Sequence, residues 1–229
     1  MTATAELCLH AGAQLDRAPG PKYTEALGFA ELAPKPPLPR AATLREWRTR
    51  APESFTFSLV APRVSVAGSK GAMRFDEELE AGVRWLRDAA EALGVRAIVV
   101  PTDADTTTGQ RDRDLLARYF ERLSGFGHAL VWAPSGLWEP ELSRPFAAQL
   151  GIACALDPID EDVPDAAIVY GRLRAIGGRQ RFSEGMLEEV VGKLLAAGVP
   201  EAFVAIDSQR SFREATKLAA IAAAETVGG

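Results

Sequence analysis

Ala167-Ile-Val-Tyr-Gly-Arg-Leu-Arg174 begins as a buried strand and ends by projecting charge. Side chains alternate along a strand, so Ile168, Tyr170, Arg172 and Arg174 share one face, and Val169, Gly171 and Leu173 the other. A strand that is apolar at its start and cationic at its end carries its last residues to a site. Seven more runs read as strands: Leu7–Gly12, Phe29–Ala33, Phe55–Ala61, Ala97–Pro101, His128–Ala133, Ile152–Asp157 and Ala202–Asp207.

Helical patterns lie between and after them. Thr43 to Arg50 opens with Thr43-x-x-Glu46, a capping box in which hydroxyl and carboxylate satisfy free N–H groups. Asp76 precedes Leu79, Val83, Leu86, Ala90 and Leu93 at helical spacing, and Gly94 ends that run. Asp112 or Asp114 starts the next helix, Glu139–Leu150 and Ser183–Ala197 follow, and Ser211-x-x-Glu214 caps the last. Strands alternating with helices predict βα units and a parallel sheet. Eight units in 229 residues, slightly below the usual ~250, predict a (β/α)8 TIM barrel, one α/β domain over residues 1–229. Its first and sixth helices should be reduced, because 13–28 contains Pro19, Gly20 and Pro21, and 159–166 has room for little more than a turn. A doubly wound open sheet is the alternative, but no Gly-rich dinucleotide loop follows any strand.

With 47% hydrophobic and 25% charged residues, the composition is that of a soluble globular protein with a sizeable core. A net charge of −5 with scattered basic residues, apart from Arg172, Arg174, Arg179 and Arg181, argues against a nucleic-acid partner. Cys8 and Cys154 lie in apolar runs and read as small core residues of a reducing compartment. No basic leader followed by an apolar run and no membrane-length apolar stretch is present, so a cytoplasmic location without membrane association is expected.

In a barrel, alternate strand residues point inward and sites form where strands end. Period two then sends Ala153, Ala155 and Asp157 inward from the sixth strand, Phe203, Ala205 and Asp207 from the eighth, and Phe29 and Glu31 from the second. Glu31, Asp157, Tyr170, Arg172 and Asp207 converge on one lumen, with Arg174 at its rim. Carboxylates and guanidiniums withdrawn from water must pair with one another or with a ligand. Two readings stay open: a ligand pocket with a carboxylate as acid or base and an arginine as anion clamp, or a structural ion-pair network.

Other features are weaker. His10, near the end of the first strand, and His128, at the start of the fifth, should lie toward opposite barrel ends, and no metal-ligand spacing links them. His10 is an acid/base or ligand candidate, or a hydrogen-bonded wall residue. Trp132 and Trp138 form an apolar ligand wall or a lid over the barrel. Gly68-Ser-Lys-Gly71 lacks Walker spacing and reads as a βα loop, and Asp103-Ala-Asp105 as a solvated loop. Ser135, Ser208 and Ser211 lack a nucleophile elbow. No motif calls for a cofactor or a metal.

Several segments resemble one family. They are Glu31-Leu32 with its proline loop and Thr43-x-x-x-Trp47, Phe55-Thr-Phe-Ser-Leu-Val-Ala-Pro-Arg63, Ala129-Leu130 with Trp138 beyond, and Tyr170-Gly-Arg-Leu173. They are similar to the domain-of-unknown-function 72 (DUF72, YecE-like) family. The resemblance implies a TIM barrel and no established activity, with a relationship to sugar isomerase-type barrels by fold alone. It also marks departures. A family lysine falls on Val60, a glutamine on Val100 or its neighbour, and a Glu, Arg and His on Val131, Ala133 and Pro134. A histidine becomes Arg174, and an Asn-Asn pair becomes Asp207-Ser208. Glu31, Asp157, Tyr170 and Arg172 persist.

Two functional expectations follow. One is a barrel binding a small polar or anionic ligand at its C-terminal mouth through His10, Trp132, Tyr170, Arg172, Arg174 and Asp207, with catalysis lost. The alternative is a metal-independent enzyme acting on a sugar, sugar phosphate or other small anion, with Glu31 or Asp157 as acid/base.

Overall fold

Runs too apolar to be solvated become the strands of a cylinder. The computed structural model describes residues 7–178 and 180–228. Ten strands and seven helices follow one another along it. They are β1 (Cys8–Leu15), α1 (Pro21–Ala26), β2 (Phe29–Leu32), α2 (Ala41–Arg50), β3 (Thr56–Val60), the two-residue strands β4 (Ala67–Gly68) and β5 (Gly71–Ala72), and α3 (Glu77–Leu93). Then come β6 (Ala97–Pro101), α4 (Gln110–Ser124), β7 (Ala129–Ala133), α5 (Pro140–Gln149), β8 (Ala153–Cys154), β9 (Ile168–Arg174), α6 (Glu184–Ala196), β10 (Glu201–Asp207) and α7 (Ser211–Gly228).

Eight strands form one parallel sheet in the order β8-β7-β6-β3-β2-β1-β10-β9. The edges meet just beyond β8: Leu156 N–H donates to Tyr170 O (3.1 Å) and Arg172 N–H to Leu156 O (2.8 Å). The result is the (β/α)8 barrel. Its first helix has only six residues, and no helix separates β8 from β9.

The pleat divides the core into two. Between sheet and helices lies the larger cluster, including Leu59, Leu86, Ile98, Phe120, Leu187 and Val204. Inside the barrel Phe29, Ala97, Val99, Val131, Tyr170, Phe203 and Ala205 pack together. The lumen is therefore filled below its mouth, as expected where small and large inward residues interleave.

Asp76 caps α3 as its position predicts, accepting from Leu79 N–H (2.8 Å), and Gly94 ends that helix at φ 59°. Ser183 likewise caps α6. The other two expected capping boxes are not formed. Helix α2 begins at Ala41 with Arg40 at the cap, which leaves Thr43 inside the first turn. Glu214 instead accepts from Phe182 N–H (2.9 Å) and from the Ser208 hydroxyl. Gly68-Ser-Lys-Gly71 is the turn of the β4–β5 hairpin. Ser69 Oγ (2.8 Å) and Lys70 N–H (2.9 Å) both donate to the Asp76 carboxylate, so these loop donors are already used.

Candidate functional site

Glu31 is the hub of the polar interior. It is wholly buried, and its register places it beside Gln14 on β1 and Ser58 on β3. Gln14 Nε2 donates to Glu31 Oε1 (2.6 Å). Tyr170 and Arg172 reach it from β9, across the lumen. The Tyr170 hydroxyl donates to Oε2 (2.9 Å), and Arg172 donates through Nε (3.2 Å) and Nη2 (2.9 Å) to Oε1. The Tyr170 oxygen also meets Ser58 Oγ at 2.5 Å. β1 and β10 stand between β2 and β9, and their paired inward residues here are Gly12 and Ala205. Two small residues leave room for the crossing. Gly12 is obligatory, since a Cβ there would lie 2.3 Å from Phe29 O.

Burial is the largest influence on Arg172 and opposes its charge. The Glu31 carboxylate, through its charge and its hydrogen bond, together with Tyr170 and Asp207, more than offsets this and leaves the guanidinium pKa above its ordinary value. Burial, then the same carboxylate, pushes the Tyr170 phenol well above its ordinary range. Arg172 is thus a fixed cation and Tyr170 a neutral hydrogen-bonding group.

Above this network lies an open cavity of about 610 Å³, within the usual range for small-molecule sites. Its floor and walls include Ala133, Ala155, Leu156, Asp157, Arg172 and Arg174. Nε and Nη2 of Arg172 are engaged by Glu31, and among the described residues nothing accepts a hydrogen bond from Nη1. Asp157 Oδ1 accepts from Ile159 N–H (3.0 Å), and Glu161 ties down the Asp157 N–H (2.8 Å) while pairing with Arg144 (2.9 Å).

Of the expected site residues, Asp157, Arg172 and Arg174 line this cavity. The others are placed differently. Glu31 and Tyr170 do not line it: both are buried beneath the cavity and engaged in hydrogen bonds with Gln14, Ser58, Arg172 and each other. Asp207 sits at the rim with its carboxylate 4.0 Å from Arg174.

His10 is at the opposite end of the barrel. β1 continues to Leu15, which leaves His10 in its first half, stacked on Phe203 (4.4 Å between centroids) and 3.4 Å from Glu201 at the start of β10. His128 bonds to Val95 O (3.0 Å) just before β6, so both histidines lie toward the N-terminal face, not at opposite ends. Trp132 is an outer residue: wholly buried, it packs against Trp138 and Phe146 and donates to Thr102 Oγ1 (3.1 Å). It therefore forms no ligand wall. Cys8, read as a core residue, is exposed beside His10, and Cys154 is partly buried with its thiol pKa pushed by burial to about 11. Arg179 falls outside the described residues.

Cavity residues not singled out from sequence include Arg63, Thr102, Thr106 and Glu161. Arg63 and Thr102 carry a signal in their place shortly after β3 and β6, where barrel sites form, whereas Thr106 and Glu161 lie further along their loops. Among the described residues no group of three or more His, Cys, Asp and Glu is placed to hold a metal ion, and no helix is long and apolar enough to cross a membrane.

No family model matches the chain. A curated tRNA dimethylallyltransferase from Gluconobacter oxydans is 28% identical over 145 residues, 59% of this chain and 42% of that protein. The chain thus spans less than half the length of that relative. Among solved structures, a DUF72 family protein from Enterococcus faecalis superposes with a TM-score of 0.65 at 13% identity, covering 97% of this chain and 96% of its own. A xylose isomerase domain-containing protein from Salmonella typhimurium gives 0.63 at 12% identity, covering 98% of each chain. By fold, this chain is a TIM barrel of the kind seen in DUF72 and xylose isomerase-like proteins.

Proposed function

We propose that the chain is a divergent DUF72-like barrel that binds a small polar anion at its C-terminal mouth, with Arg172 and Arg174 as the cationic wall. The supporting observation is Arg172. Its Nε and Nη2 are locked onto a wholly buried carboxylate while the residue lines an open cavity. A guanidinium oriented from behind offers its remaining donor at little ordering cost, which suits a carboxylate or phosphate oxygen. The Tyr170-Gly-Arg-Leu173 resemblance and the likeness of fold agree with the DUF72-like assignment.

The acid/base alternative now rests on Asp157, which lines the same cavity. The partial likeness to a tRNA-modifying transferase is not extended to this chain, whose net charge of −5 does not supply the basic face a tRNA partner needs.

A thermal-shift and calorimetric screen of sugar phosphates and carboxylates tests the reading, repeated on Arg172→Gln. A ligand that stabilises wild type and loses about tenfold or more in affinity on the variant supports it, as expected for a lost charge-assisted hydrogen bond. Equal binding to both proteins removes Arg172 from the site. Turnover of the bound ligand that is abolished by Asp157→Asn would move the assignment to the enzyme.

A further inference from the structure

The mouth cavity continues past the barrel rim. A second hollow of about 320 Å³ shares Arg63, Ala67, Ala72, Asp103 and Thr106 with it. The rest of its wall comes largely from the β4–β5 hairpin and the start of α4. The two spaces form a chamber and an annex with a common partition.

Thr106 stands in that partition. Its backbone is fully engaged: its N–H donates to Asp103 O (3.1 Å), and its carbonyl accepts from Trp138 Nε1 (2.9 Å). Its side chain is not. The residue is 5% exposed, and Oγ1 has no hydrogen-bond partner. Buried hydroxyls are nearly always satisfied, and one left bare at a junction of cavities indicates a group that arrives from outside. Arg63 borders the same junction, and among the described residues its side chain makes no hydrogen bond or ion pair. Around the annex Asp112 is already held by the Thr107 N–H (2.8 Å) and hydroxyl (2.7 Å). With Asp112 so occupied, Arg63, Lys70 and Arg74 and the carboxylates Asp103, Asp105 and Asp112 balance in formal charge, and the unpaired Arg63 is the cation that stands next to the bare Thr106 hydroxyl.

We infer that Thr106 and Arg63 form a second subsite, taking an anionic oxygen at the far end of the ligand whose first anionic group lies on Arg172. The ligand class is then a small bis-anion, a dicarboxylate or a bisphosphate, spanning chamber and annex. This rests on the mouth-binding reading above and adds to it the number and placement of the anionic groups.

The test is calorimetry with matched probes: a hexose monophosphate against the corresponding bisphosphate, and butyrate against succinate, which separates phosphate from carboxylate recognition. Wild type should prefer one of the bis-anions by about tenfold or more, the effect of one added hydrogen bond to a charged group. Thr106→Val and Arg63→Gln should each abolish that preference and leave mono-anion affinity unchanged, while Arg172→Gln weakens both probes of the pair. Thr106→Val, which removes an unsatisfied hydroxyl, should leave Tm unchanged or raise it. Arg172-dependent binding without any bis-anion preference overturns the second subsite and leaves the mouth reading intact. Absence of binding to every probe overturns both. A preference that survives in Thr106→Val and Arg63→Gln, or a Tm lowered by Thr106→Val, also rejects the subsite.

Discussion

Removing the Glu31 carboxylate would strand a guanidinium whose side chain is only 13% exposed. Glu31→Gln should therefore cost about 3 kcal/mol in chemical denaturation, the scale found when one member of a buried pair is deleted. Tyr170→Phe leaves Ser58 and one Glu31 oxygen short of a partner and should cost about 1–2 kcal/mol. The pair is not itself a large source of stability, because desolvation consumes most of its attraction. What it supplies is a charge held in one place. His10 gives a pH signature at the other end of the barrel. Burial depresses its pKa below the ordinary 6.5, against the pull of Glu201. As pH falls through 6.5, the unfolded chain takes up this proton before the folded one, so stability declines toward lower pH. His10→Gln should flatten the fall in Tm between about pH 7 and pH 5 relative to wild type.

Helix α3 shows how elements set the mouth. Its Gly82 lies against the turn Arg63–Ser65, where a Cβ would stand 1.9 Å from Val64 O and 2.8 Å from Ser65 N. Ser65 O is held from the other side by the Tyr119 hydroxyl (2.6 Å). With backbone on one side and a buried tyrosine on the other, the turn has little room to yield. Gly82→Ala should destabilise by about 1–3 kcal/mol, readable as a lowered Tm, and displace Arg63 at the partition. At this scale much was legible in the sequence. Period two assigned the inward faces of β2, β8, β9 and β10, and Asp76, Gly94 and Ser183 marked helix ends. The misreadings share one cause: local chemistry does not reveal which partner wins. Gly12 looks like the end of a strand, yet it is a glycine because Phe29 passes close by, and β1 runs on to Gln14 and Leu15. Glu214 fits a capping box by spacing, but Ser208 and Phe182 reach its carboxylate. Trp132 obeys the same alternation as its neighbours, and that places it outside the lumen. Nothing local to Thr106 shows that its hydroxyl is left unpartnered.

Across the molecule, the ladder is uneven. β10 pairs with β1 and β9 along nearly its whole length, whereas β8 has two residues and meets β9 only through the bridge at Leu156. Amide exchange at Leu156 and Arg172 should be faster than at Val204, because few hydrogen bonds need to open there. The first and last barrel strands thus face each other across a strong ladder, while the weak one is spanned by continuous chain through 157–167. The connection that stands in for a sixth helix is therefore the covalent clasp of the cylinder. A single proteolytic nick within 159–166 would leave the β8 side of the seam joined to β9, the strand that carries Arg172, by one bridge alone. Such a nick should open the barrel on the side of its own binding residues, with loss of ligand-dependent stabilisation before loss of helical circular dichroism. Susceptibility to cleavage in this short connection is then a direct readout of whether the mouth is occupied.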